Sequence, residues 1–141
     1  MKYKNSMIVN NLNILGVFAE KRLPQRISYA ITRNLMLLQK EYQCYETEMK
    51  KLQEKYADSI MYTDNKEVTR DNYGVPILKN AEDQKNYNKD LFELLNIEVE
   101  IPLFFISNEE FNYNDDTGRY DPMSASDIMA LQSVLCNENI N

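Results

Sequence analysis

The clearest pattern in the chain is a set of apolar residues that recur every three or four positions across residues 24–56. Their steps of 4, 3, 4, 3, 4, 3 and 4 form an unbroken heptad repeat, which is typical of a long helix with one apolar face. We call these residues the seam: Ile31, Leu35, Leu38, Tyr42, Tyr45, Met49, Leu52 and Tyr56. Pro24 suits the first helical position. The pattern therefore predicts a spine helix over about 24–56, on the order of 50 Å long.

A shorter amphipathic pattern precedes the spine. Apolar residues at helical spacing mark one face of a helix over about 7–20: Ile8, Leu12, Leu15 and Phe18. We expect this helix to fold back onto the spine through the link EKRLP, so that both helices share one core. The result is a long N-terminal helical hairpin.

The pattern changes to short β-prone pieces after the spine. Residues 60–63, 67–69 and 75–78 are separated by Asp-Asn and Asn-Tyr-Gly turn signals. Such a sequence favours either a small β-hairpin or a mobile loop.

The last third of the chain alternates between helix and strand signals. A third helix is predicted by DQKNYNKDLFELLN, and a strand over 97–105 by the alternation in IEVEIPLFF. A fourth helix is predicted by SASDIMALQSVLC, which starts with Ser124 three residues before Asp127. Pro102 places the strand at a sheet edge. We expect an α+β, mostly helical fold with a small antiparallel sheet, shorter C-terminal helices and a single domain over 1–141.

Composition argues against most enzyme chemistry. The chain has no histidine, and its three glycines are isolated, so the usual general base and any phosphate-binding loop are missing. The two cysteines are far apart, and Glu41 and Glu48 near Cys44 disfavour a thiolate. We therefore expect no catalytic residues, no cofactor, no bound metal and no enzymatic activity.

Charge is unevenly distributed along the sequence. Residues 1–40 hold seven Lys or Arg against Glu20 alone, whereas nine acidic residues from Glu98 onward face only Arg119. This asymmetry indicates either self-complementarity or a charged partner, and the acidic part argues against direct nucleic-acid binding. Asparagines interrupt the N-terminal apolar run, so we expect no signal sequence and no membrane association.

The stretch NYNDDTGRYD, residues 112–121, is the most acidic loop candidate. As a calcium loop with Gly118 at position 6, it would put Tyr113 first and Ser124 last, where oxygen-rich ligands are needed. A solvated turn is one alternative. The other is a contact surface for a partner protein with a basic surface, with two tyrosines as anchors. We call it the acidic surface: Glu109, Glu110, Tyr113, Asp115, Asp116, Tyr120 and Asp121.

A second candidate is a basic stripe on the spine, opposite the seam. Arg26, Arg33 and Lys40 recur every seven residues. They form either a solvated helix face or a contact for an acidic protein or for the acidic tail of a second copy. The long seam also allows a homodimer through the spine helix.

The order of these segments resembles a known family. A short N-terminal helix, AEKRLPQRISYAITRNL opening a helix that ends LQEKY, then FELLNIEVEIPL and a closing SASDIMAL are similar to small uncharacterised proteins from tailed phages of low-GC Gram-positive bacteria. The resemblance leaves out residues 57–85, where ADSIMYTD replaces the family's short turn. It implies a phage gene near tail and lysis genes, and it implies no activity.

These observations together favour a phage-encoded, non-enzymatic protein that binds another protein. The acidic C-terminal part favours an inhibitor of a bacterial host factor, such as an anti-CRISPR-type antagonist of a defence system, because nucleic-acid-handling proteins present basic grooves. Such a protein acts in the host cytoplasm. The gene neighbourhood implied by the resemblance favours the alternative, a virion-associated tail or assembly accessory protein.

Overall fold

The computed structural model describes residues 1–137 of the chain. Within this range its elements are, in order, β1 (Lys2–Lys4), α1 (Asn5–Phe18), α2 (Gln25–Lys55), α3 (Ala81–Leu95), β2 (Glu98–Glu100) and α4 (Ala125–Leu135), with 3₁₀ turns at Ala57–Ser59 and Asn108–Phe111. The predicted α+β, mostly helical fold with a small antiparallel sheet is confirmed.

The contacts of the chain fall into two compact units. The first comprises Met1–Tyr42 and Glu98–Asn141, and the second comprises Gln43–Ile97. The boundary between Tyr42 and Gln43 lies inside α2, so one continuous helix contributes to both units. The interpretation of 1–141 as a single domain stays a prediction.

The first unit is built around one apolar core. Helices α1 and α2 share this core, as the helical hairpin predicts, and α4 packs against α1. Strand β1 pairs antiparallel with β2, with Tyr3 opposite Val99. The largest fully buried apolar side chains come from α1, α2, α4 and the residue that follows β2: Ile8, Leu15, Ile27, Ile31, Leu38, Ile101, Leu131 and Leu135.

The predicted strand over 97–105 is wrong in length. Only Glu98–Glu100 pairs as a strand, although Ile101 and Leu103 beyond it are buried. Ile97 is half exposed, and its backbone N–H still bonds to Leu94 at the end of α3. The alternation of apolar residues reports the burial of Ile101 and Leu103 correctly. Ile97 instead belongs to the helix terminus, and within residues 1–137 the segment after Pro102 has no second strand to pair with.

Helix termini follow the sequence signals closely. Ser28 N–H bonds to the carbonyl of Pro24, which places the proline at the entrance to α2. At the start of α4, the Ser124 hydroxyl accepts from the Asp127 N–H, and the Asp127 carboxylate accepts from the Ser124 N–H. This reciprocal capping box satisfies two N–H groups that the helix leaves unpaired, so the predicted start of the fourth helix is confirmed.

The second unit packs the end of α2 against α3. Three seam residues, Met49, Leu52 and Tyr56, contact a buried cluster made of Ile60, Leu78, Tyr87 and Leu91. Asn80 caps the N-terminus of α3, and its side chain accepts from the Asp83 N–H at 2.8 Å. The predicted third helix is therefore present.

Between α2 and α3, three short segments each pair with the other two. Isolated antiparallel bridges join Ile60 to Leu78, Tyr62 to Val68, and Arg70 to Pro76. A closed cycle of backbone bonds ties the segments together: Met61 N–H to Ile77, Ile77 N–H to Thr69, and Thr69 N–H to Met61, at 3.0, 2.9 and 2.9 Å. The β-prone pieces are present, but the structure is a ring of three segments, neither a simple hairpin nor an unpaired loop.

The ring repeats its geometry every eight residues. Positions 61, 69 and 77 carry the cyclic bonds, and the two turns between them are alike. Lys66 and Gly74 both have positive φ, at 64° and 80°. The side chains of Thr63 and Asp71 accept from the N–H groups four residues later. Glycine suits this conformation, and Lys66 adopts it against its intrinsic preference.

Candidate functional site

The acidic surface belongs to an irregular segment of the first unit, residues 107–121. Apolar side chains of this segment attach it to the core. Phe111 is buried in the core, and Tyr113 packs against that core. The Ser107 hydroxyl accepts from the Glu109 N–H at 3.2 Å and caps the 3₁₀ turn Asn108–Phe111. Apolar anchors thus fix a segment that has no strand or α-helix of its own.

The turn at residues 115–120 is organised by one carboxylate. The two oxygens of Asp115 accept the N–H groups of Arg119 and Tyr120, at 2.9 and 3.0 Å. Gly118 has φ 66°, which lets the chain reverse there. Asp116 accepts from the Asn114 side chain at 3.1 Å. Asp115 therefore works as an internal turn cap, as the solvated-turn alternative expects for such a residue.

The two predicted tyrosine anchors are in contact. The rings of Tyr113 and Tyr120 meet edge to face with centroids 5.4 Å apart, and the Arg119 guanidinium lies 5.3 Å from the Tyr120 ring centroid. Burial raises the pKa of the Tyr113 hydroxyl, and the charge of Asp115 acts in the same direction. The pair is an ordered, half-buried aromatic patch beside the Asp115 turn.

Two acids of the surface pair with basic residues of the N-terminal part. Glu110 contacts Arg26 at 2.8 Å, and Asp121 contacts the Arg22 guanidinium at 3.1 Å. Asp121 also accepts the backbone N–H of Arg22 at 2.7 Å, and the carbonyl of Arg22 accepts the Asp121 N–H at 2.8 Å. The Arg22 backbone N–H, and after it the Arg22 guanidinium, lower the pKa of the Asp121 carboxyl below its ordinary value. The uneven charge seen in the sequence is thus partly self-complementary.

The acidic surface is therefore less uniform than its sequence suggests. Glu109 and Asp116 are exposed, while Glu110, Asp115 and Asp121 are half-buried and bonded within the chain. The structure brings Glu109 and Glu110 together on the 3₁₀ turn and Asp115 and Asp116 together on the following turn.

The basic stripe is also partly engaged. Arg26 pairs with Glu110, so the two predicted sites meet at this ion pair. Arg33 donates to the Tyr29 hydroxyl at 3.1 Å, and its guanidinium lies 6.0 Å from the Phe104 ring centroid. Lys40 is exposed. Sequence reasoning missed the two aromatic partners: Tyr29 could be found from its spacing of four residues before Arg33, whereas nothing in the sequence points to Phe104.

Seven of the eight seam residues pack within the units of their own chain. Ile31 and Leu38 are buried in the first unit, and Leu35 and Tyr42 pack against the same core. Met49, Leu52 and Tyr56 pack in the second unit. A homodimer through the seam would have to displace these contacts.

Three further features of residues 1–137 concern metal ligands, the two thiols and helix hydropathy. In that range, no three His, Cys, Asp or Glu side chains gather closely enough to hold a metal ion. Cys44 is exposed, and burial raises the pKa of the Cys136 thiol, which favours the unreactive protonated form. No helix in the described range is both long and apolar enough to cross a membrane.

Comparison of the chain with protein-family models, with curated proteins and with solved structures finds no match.

Proposed function

We propose that this chain is a phage-encoded, non-enzymatic protein that binds another protein through its acidic surface. The observation that carries the proposal is the fixed conformation of the irregular segment 107–121. This segment is held by buried Phe111, by the Asp115 turn and by the ion pairs with Arg22 and Arg26. A surface segment that is already ordered loses little conformational entropy on binding. Loops fixed in this way are a common place for recognition.

The charges of this segment favour a partner with a basic surface. Glu109 and Asp116 are exposed, and the Tyr113–Tyr120 pair supplies an aromatic patch next to them. Glu110 and Asp121 also stay within reach of a partner, because the side chains of Arg26 and Arg22 that neutralise them are 77% and 70% exposed. Exposed ion pairs contribute only about 0–1 kcal/mol. A basic group of the partner can therefore share or replace either arginine.

Within this class we propose an inhibitor of a bacterial host factor, acting in the host cytoplasm, of which an anti-CRISPR-type antagonist of a defence system is one form. Proteins that handle nucleic acids carry basic grooves, and an ordered acidic surface is complementary to them. The second candidate is a virion-associated tail or assembly accessory. The gene neighbourhood implied by the family resemblance supports it, and its partners are tail or capsid proteins.

The deciding experiment is an affinity purification from infected host cells with chemical cross-linking and mass spectrometry. The bait is wild type, a Glu109→Gln/Asp116→Asn variant, or a control Glu82→Gln/Glu93→Gln variant, which neutralises two exposed acids on α3. A host enzyme that is lost with the first variant and kept with the control supports the inhibitor. A tail or capsid protein with the same pattern supports the accessory protein, and partners that ignore both variants contradict the proposed surface.

A further inference from the structure

One face of the N-terminal half of α2 is not used by the core of the first unit. It lies opposite the seam and carries Tyr29, Arg33, Met36 and Lys40, at steps of 4, 3 and 4. Residues at this spacing are neighbours on a helix surface. Phe104 joins them, because its ring meets the Tyr29 ring edge to face at 5.3 Å. We call these five residues the outer face.

The apolar side chains of the outer face are exposed, and two of them are held in place by contacts with Arg33. The exposed fractions are 67% for Met36, 47% for Tyr29 and 37% for Phe104. Arg33 links the two rings by its bond to the Tyr29 hydroxyl and its position over the Phe104 ring. Aromatic residues, Met and Arg are the side chains enriched at the centres of protein interfaces.

The charges on and beside the outer face are of both signs. Arg33 and Lys40 are cationic, while Glu110, paired with Arg26, and the neighbouring exposed Glu109 are anionic. A uniformly basic partner would be repelled by Arg33 and Lys40, and a uniformly acidic one by the two glutamates. A surface with the same mixture of charges can set cations against the two glutamates, and a two-fold symmetric contact brings such a surface against itself.

The whole first unit has this balance. Its residues 1–42 hold seven Lys or Arg against two acids, and residues 98–141 hold nine acids against Arg119. The two parts, at +5 and −8, offset each other and leave a net charge of −3 on the unit, so long-range repulsion between two copies of it is modest.

We propose that the outer face binds a second copy of this chain in a two-fold symmetric dimer. Tyr29, Met36 and Phe104 form the apolar centre, and Lys40 of each copy meets the Glu109–Glu110 pair of the other. The contact uses the side of α2 opposite the seam, so the seam stays buried within each copy. This inference goes beyond the proposed function and requires no other partner.

Sedimentation velocity of the purified chain tests the dimer directly. From about 1 µM to about 1 mM, a range suited to weak association, we expect the mean sedimentation coefficient to rise from that of a monomer to that of a dimer. Met36→Glu should abolish this rise. Met129→Glu is the matched control, because Met129 lies on α4 of the same unit and is 69% exposed. Tyr29→Ser removes an apolar contact without adding charge and should also abolish the rise.

A charge exchange tests the symmetry of the contact. Lys40→Glu alone and Glu109→Lys alone should each keep the protein monomeric, because both lateral pairs then become repulsive. An equimolar mixture of the two variants should dimerise, since each contact then joins opposite charges. Wild type that stays monomeric throughout the range, a control as disruptive as Met36→Glu, or a mixture that fails to associate would overturn the proposal. All of these measurements use the chain alone, so their outcome is separate from that of the proposed function.

Discussion

Asn34 and Phe104 are joined by two hydrogen bonds, although they are 70 residues apart in the chain. The Asn34 side chain donates to the Phe104 carbonyl at 2.8 Å and accepts from the Phe104 N–H at 2.7 Å. Asn34 is fully buried on α2. Its carboxamide thus takes the place of a neighbouring strand and satisfies the backbone of the extended segment that follows β2.

Removal of this side chain should be costly. Asn34→Ala leaves the backbone N–H and carbonyl of Phe104 without partners in a partly buried site, and we expect a loss of about 2–4 kcal/mol in the free energy of unfolding. Urea denaturation measures the change. Asn13→Ala, at an exposed position of α1, should be close to neutral. Equal effects of the two substitutions would mean that the Asn34 bonds contribute little.

Substitution of Tyr87 should raise the stability of the protein, whereas removal of the Asn34 side chain should lower it. Its side chain is fully buried, and among residues 1–137 its hydroxyl has no hydrogen-bond partner. Burial raises its pKa, and the charge of Arg70 and the nearby Gln53 side chain, which does not reach hydrogen-bond geometry with the hydroxyl, oppose that shift only in part. Because an unpaired buried hydroxyl carries a desolvation cost, Tyr87→Phe should stabilise the protein by about 1 kcal/mol.

Thermal melting compares Tyr87→Phe with Tyr73→Phe, which changes a side chain that is 92% exposed. The control should leave the melting temperature unchanged. A lower melting temperature for Tyr87→Phe would show that the hydroxyl makes a stabilising bond in solution.

The seam makes a stringent prediction at Leu38, which is fully buried in the first unit. Leu38→Asp places a carboxylate in an apolar core and should cost several kcal/mol, on the order of 4 or more, or unfold that unit. Far-UV circular dichroism and melting curves record the loss. Gln39→Asp introduces the same charge at the next, exposed position and should be tolerated. An unchanged melting curve for Leu38→Asp would mean that the seam is exposed.

The Arg22–Asp121 contact predicts a dependence of stability on acid pH. The pKa of Asp121 is lowered from 3.8, first by the Arg22 backbone N–H and then by its guanidinium. The folded state thus favours the carboxylate, so its stabilisation is present above pH 3.8 and is lost as pH falls through the lower folded-state value. Wild type should melt higher than Asp121→Asn near pH 7, and the difference should shrink below pH 4. A difference independent of pH would assign the effect to packing alone.

We also expect the folded protein to need no metal ion. The chain has no histidine, and the calcium register fails at both ends of the acidic loop. Melting temperatures with and without excess chelator should therefore agree. A drop of several degrees with chelator would reveal a structural ion.

Salt should modulate binding to a basic partner once that partner is identified. Association steered by Glu109 and Asp116 should slow at least about tenfold between low and high ionic strength, because screening acts mainly on the on-rate. Neutralising these two acids should flatten that dependence while leaving the melting temperature nearly unchanged. Rates indifferent to salt would argue for a contact dominated by the tyrosines.

The helices could be predicted well because their signals are local. The seam, Pro24 and the Ser124–Asp127 pair locate α2 and the start of α4 to within about one residue. The strand over 97–105 could not be delimited, since the alternation of apolar residues reports burial on one side and says nothing of where a pairing strand ends. The repeat of the ring geometry every eight residues could not be predicted either. Its positions 61, 69 and 77 carry Met, Thr and Ile, which share no chemical feature.

The sequence by itself determined the helices, the apolar positions that form the cores and the opposite charges of the two ends of the chain, because periodicity, capping and composition depend on nearby residues. Only the tertiary structure decided that Arg22 and Arg26 neutralise Asp121 and Glu110, that Asn34 holds Phe104, and that the Arg33 guanidinium lies over the Phe104 ring. These contacts join residues 70 to 99 positions apart. Such pairs are chosen by the packing of the whole core, which no local pattern in the chain records.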